Sequence, residues 1–102
     1  MNLRQNSVRE LTQIPQPRLS WLDLSKNKIE RCGEFTGHAN LRELFMANNR
    51  LENCAGLQGM PQLLKLDLNG NKLTTLKGLS GLPCLKVLEV GKNKLASLAD
   101  FP

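Results

Sequence analysis

Four carboxylates stand where chemistry could be expected first: Asp23, Asp67 and Glu89, separated by multiples of 22 residues, with Glu43 alongside. Paired carboxylates can exchange protons with a substrate or hold a cation. Phe45 takes the remaining place in that series and interrupts it, and no enclosing cleft is implied. These acids therefore read as a solvated face that selects basic groups on a partner. Cys32 and Cys54 are also 22 residues apart, which makes a disulfide geometrically conceivable. Buried free thiols acting as small hydrophobes are the expected state. Cys84 pairs with neither, and with no CxxC in the chain a structural zinc site is not expected. His38 is the only histidine and has no cysteine or serine-centred motif beside it, so it is not assigned as a base. A ring in that place could still be a pH-sensitive point. The glycines fall singly, without a phosphate-cradling GxGxxG. No catalytic residue, metal ligand or cofactor is assigned.

The spacing of 22 comes from the elements that hold these residues. An asparagine-centred stretch recurs as LDLSKNKI from Leu22, LFMANNRL from Leu44, LDLNGNKL from Leu66 and LEVGKNKL from Leu88. Its asparagines are Asn27, Asn49, Asn71 and Asn93. A fixed period in the twenties marks a stack of like units. Units begin at Leu19, Leu41, Leu63 and Leu85, with apolar residues at positions 1, 4, 6, 11, 14, 17 and 20. Positions 4 and 6 suit one face of a strand. Positions 11 to 20 advance by threes, which suits a 3₁₀ or short helical return. Neither piece can bury its apolar side alone, so the core is made by stacking. Cys32 and Cys54 hold position 14, and Phe35 and Phe101 hold position 17. His38 holds position 20, where a partly exposed ring on the return arc is expected.

Residues 1–18 fit the same pattern as a partial, degenerate unit. LRQNSV from Leu3 aligns with LSKNKI from Leu24, and Leu11 and Ile14 fall on later core positions. Residues 19–40, 41–62 and 63–84 are full units, and 85–102 is incomplete. Both ends fall inside a unit, so a single array cut from a longer protein is expected.

The pattern LxxLxLxxNxIxxLxxLxxLxx resembles the leucine-rich repeat, in its 22-residue intracellular subclass. That subclass includes phosphatase regulatory subunits, a spliceosomal ribonucleoprotein subunit, a dynein light chain and ciliary radial-spoke proteins. The run PRLSWLDLSKNKIE looks most like the radial-spoke group. The resemblance implies an α/β right-handed solenoid with a parallel concave sheet and 3₁₀ or irregular convex arcs. It also implies that the asparagines are structural, bonding to backbone groups inside each bend.

Strand alternation then places Trp21, Asp23 and Ser25 outward, with Glu43, Phe45 and Ala47, Lys65, Asp67 and Asn69, and Val87, Glu89 and Gly91 as their equivalents. Trp21, Glu43, Lys65 and Val87 should form one column, and Asp23, Phe45, Asp67 and Glu89 the next. Trp21 and Phe45 are diagonal neighbours and form the candidate anchor for a partner. Position 10 is basic in all four units that begin at Leu19, Leu41, Leu63 and Leu85, as Lys28, Arg50, Lys72 and Lys94, with Lys26 and Lys92 adding to this ridge. Such a ridge can steer an acidic partner. It is one charge wide, beside an acidic column and without interleaved aromatics, which argues against nucleic acid.

Composition sets the outer bounds. The 102 residues carry a formal charge of +5 and are 40% hydrophobic, a globular balance for one domain. No apolar run approaches the roughly 18 residues of a membrane span, and MNLRQNSVREL has no apolar signal core. Three cysteines without a framework spacing fit reduced thiols, hence a cytoplasmic setting, extending to cytoskeleton or ciliary axoneme if the radial-spoke likeness holds. The reading is a non-enzymatic protein-interaction scaffold in a larger assembly. A phosphatase regulatory subunit and an RNA–protein complex subunit are the alternatives.

Overall fold

Every unit contributes one three-residue strand: β1 Trp21–Asp23, β2 Glu43–Phe45, β3 Lys65–Asp67 and β4 Val87–Glu89. The computed structural model describes residues 1–13, 16–32, 35, 37–76, 79 and 82–95. The strands form one parallel sheet in chain order. Leu22, Leu44, Leu66 and Leu88 face one another along it, with Trp21, Glu43, Lys65 and Val87 in register on one side and Asp23, Phe45, Asp67 and Glu89 on the other. A shift of one residue would turn these leucines to solvent, so the apolar repeat fixes the register.

The strands are short because the backbone reverses its hand soon after them. Lys26, Asn48 and Lys92 adopt φ of 58°, 58° and 54°, and Gly70 takes φ 68° at the equivalent place. Strand geometry cannot pass a left-handed residue. Ladder bonds nevertheless run up to it: Leu24 N–H donates to Phe45 O at 2.7 Å and Lys26 N–H to Ala47 O at 2.8 Å. The same pair recurs from Met46 and Asn48, and again from Leu68 and Gly70.

Of the two forms expected for the return arcs, 3₁₀ or irregular, the described residues show the irregular one. Among the described residues the arcs contain no 3₁₀- or α-helix. Isolated turns meet the three-residue spacing instead. The N–H groups of Phe35, Leu57 and Leu79 donate to the carbonyls of Cys32, Cys54 and Leu76 at 3.0, 3.0 and 3.4 Å. A second turn closes Leu63 on Met60 and Leu85 on Leu82, both at 3.2 Å. Each turn aligns one i, i+3 apolar pair and then stops. Gly56, at φ 93°, shows why: no helix propagates through that angle. A Cβ there would also lie 1.9 Å from the Cys32 carbonyl oxygen of the preceding unit.

Stacking makes the core. Leu41, Leu44, Met46, Leu51, Cys54, Leu57 and Met60 of the second full unit are all essentially inaccessible, as are Leu63, Leu66, Leu68, Leu73 and Leu76 of the third. Burial loosens toward both ends, where Val8, Leu19, Leu82, Leu85, Leu88 and Leu95 are only partly covered. Residues 1–11 form an outer layer on β1. Asn2 bridges Asp23 in parallel, Asp23 N–H donates to Met1 O at 2.9 Å, and Leu11 is buried. Ile14 and Phe101, both assigned to the core from sequence, lie outside the described residues.

Candidate functional site

The outward sheet face presents two columns of unequal freedom. In the first, Trp21 is 42% exposed and Val87 43%, the most exposed large apolar side chains among the described residues. Glu43 is exposed between them; its N–H donates to Ser20 O at 3.1 Å, but its carboxylate has no hydrogen bond or ion pair among the described residues. Lys65 lies half-buried beside it, its Nζ 5.4 Å from the centroid of the Phe45 ring. That is a cation–π distance.

The second column is largely spoken for. Asp23 Oδ1 accepts the Ser25 N–H at 2.9 Å, and Asp67 Oδ1 accepts the Asn69 N–H at 3.0 Å. Each aspartate thus closes its own strand end, a local side-chain-to-backbone bond. Asp23 also lies 3.7 Å from Arg4 Nε, and Glu89 Oε2 accepts from Asn69 Nδ2 at 3.3 Å. Phe45 is half-buried. These self-bonds of Asp23 and Asp67 were not anticipated, although an aspartate two residues before a polar or small residue is their usual signal. Among the described residues no cluster of three or more His, Cys, Asp or Glu could hold a metal.

Ser25 does not join the outward face. It is buried, and its hydroxyl accepts the Ala47 N–H at 3.2 Å. By that point the chain is turning into the left-handed Lys26, so strict strand alternation has lapsed.

The asparagines lie inside the bend. Asn71 Nδ2 donates to Leu68 O and Met46 O, both at 3.0 Å, and to Asn69 O at 3.2 Å, while its Oδ1 accepts the Leu51 N–H at 3.1 Å. One carboxamide therefore satisfies groups of two successive units. Asn27, Asn49 and Asn93 repeat the pattern. Asn6 makes a reduced, exposed version through Leu3 O and Arg4 O. Beyond the ladder, Lys28, Arg50, Lys72 and Lys94 are exposed, their backbone N–H groups tied to the preceding unit at 2.8–2.9 Å. That tie aligns the four side chains as a ridge.

Cys32 and Cys54 are buried and free, and Cys84 is exposed and free. Burial pushes the Cys32 thiol up to about 12, with Cys54 and Glu10 adding to the effect, and burial pushes Cys54 up to about 11. Both remain neutral and unreactive at ordinary pH. His38 is buried rather than partly exposed. Its Nδ1 accepts the Asn40 N–H at 3.2 Å, which leaves Nε2 to donate to the Gln16 carbonyl at 2.8 Å. Both ring nitrogens are thereby satisfied, which is why an apolar slot accepts the ring.

Residues 61–102 match the family model for leucine rich repeats, in two copies. This stretch carries leucine-rich repeats. No curated protein and no solved structure matches the chain. The same 22-residue spacing of strands and asparagine bonds is present among the described residues of 19–60. Leucine-rich repeats generally serve as non-enzymatic modules for binding proteins. Among the described residues no helix is long and apolar enough to cross a membrane.

Proposed function

We propose that the protein is an interaction module whose sheet face, the concave side of a right-handed solenoid of the 22-residue subclass, holds a protein partner. The observation that carries this reading is the free column: Trp21 and Val87 exposed at its ends, an unpaired Glu43 between them, and Lys65 beside it. Three strand spacings separate the end residues, roughly 14 Å. A partner segment could seat an apolar group at each end and a basic group on Glu43. Trp21 is the expected anchor, since tryptophan dominates binding energy at such patches. Phe45, half-buried in the next column with Lys65 over its ring, adds apolar surface to the face. The basic ridge contributes long-range attraction to an acidic partner rather than direct contact.

The wider setting follows as part of the same proposal: a subunit of a larger assembly, cytoplasmic, in which the radial-spoke-like run PRLSWLDLSKNKIE favours a cytoskeletal or ciliary place.

Replacing Trp21 and Phe45 together by Ala tests the face. Partner capture from an extract of the native cell should fall at least roughly tenfold, the scale of one lost hot spot. The denaturation midpoint should move little for Trp21→Ala alone. Unchanged capture by the folded double variant would remove the proposal.

A further inference from the structure

Where the first two full units enter their strands, Arg18, Ser20, Asn40, Arg42 and Gln62 line a groove of about 440 Å³. All five side chains can donate hydrogen bonds, and none is acidic. Among the described residues the ion pairs are Arg4–Asp23 and Arg31–Glu10, so neither groove arginine is neutralised. The chain is tied down just before each arginine. His38 donates to the Gln16 carbonyl and accepts from the Asn40 N–H, and Asn40 Nδ2 donates to the Pro17 carbonyl. Residues 16–17 and 38–40 are thereby clamped together, and Arg18 and Arg42, which follow them in the chain, both line the one groove. Two exposed guanidiniums that line one groove without an ion-pair partner favour an anion there.

The donor set indicates which anion. A carboxylate is satisfied by one guanidinium fork. A phosphate monoester carries about −1.5 to −2 charges at pH 7 and three acceptor oxygens. Two forks match it in charge, and the carboxamides and hydroxyl supply the remaining donors. We propose that this groove binds a phosphate monoester between Arg18 and Arg42. The site adjoins the sheet face at the strand entries, but its binding does not rest on the proposed partner.

The test is a titration of the isotopically labelled chain at constant ionic strength, read by NMR. One arm uses inorganic phosphate, one an O-phosphoserine peptide, and one the same peptide with serine. Phosphate-bearing probes should give saturable shifts at Ser20, Asn40, Arg42 and Gln62, and the serine peptide none. Arg18→Gln with Arg42→Gln should weaken binding about tenfold or more, the scale of charge-assisted bonds. Lys72→Gln with Lys94→Gln removes the same charge from the ridge and should leave it nearly unchanged. Both double variants alter exposed side chains, and their spectra report whether the fold is intact. Binding of inorganic phosphate alone would assign the source as free phosphate, and stronger binding of the phosphopeptide a modified protein. Shifts that never saturate, or equal weakening by both double variants, would overturn the site.

Discussion

At the scale of single residues, the asparagines and cysteines behave as parts of the fold. Asn71→Ala would strand the Leu51 N–H in the interior and remove one of two amide donors from each of the Met46 and Leu68 carbonyls, which Asn49 and Asn93 still reach. The expected loss is about 1–3 kcal/mol, checked by denaturant unfolding. Asn6→Ala, at an exposed bend, should cost clearly less. For the thiols the sign follows from burial. Cys32 and Cys54 stay protonated in the folded chain until about pH 12 and 11, whereas an exposed thiol ionises near 9. Their contribution is thus fully present below pH 9 and is lost as pH rises through the folded values. Stability of the wild type should fall more steeply between pH 8.5 and 11 than that of a Cys32→Ala, Cys54→Ala variant. Parallel curves would contradict this. With the fold intact, a thiol reagent should modify Cys84 alone among the three.

At the scale of elements, the strands and their register were legible in the sequence. The two-residue spacing of Leu22 and Leu24, repeated at 44 and 46, 66 and 68, admits only one pleat orientation. The arcs were less legible. A spacing of three is common to a continuous 3₁₀ turn and to separate turns, and only the backbone angle at residues such as Gly56 distinguishes them. That angle predicts a sharp intolerance: Gly56→Ala meets both an unfavourable φ and the Cys32 carbonyl. The expected destabilisation is about 2 kcal/mol or more, measured as a shift in unfolding midpoint. His38 and Ser25 were misplaced for a related reason. Their burial depends on partners in neighbouring units, Gln16 and Ala47, which a single unit's pattern does not display.

At the scale of the whole molecule, four stacked strands turn a one-dimensional repeat into a two-dimensional surface. The alternation rule was enough to name the two columns. It could not tell that Asp23 and Asp67 bond their own backbone while Glu43 stays free, because those choices depend on side-chain rotamers and on loops after each strand. The charge pattern of the whole is divided: a basic ridge beyond the asparagines, an arginine groove at the strand entries, and a mixed apolar and charged face between them. The face is the claim on which the functional account rests. Site-specific photocrosslinking in the native cell tests it most directly, with the photoreactive residue placed at Glu43 on the face or at Gln58 on the exposed arc. Position 43 should give a discrete protein adduct that disappears when Trp21 is also replaced by Ala, and position 58 little. Equal adducts from both positions, or an adduct from position 58 alone, would contradict that claim.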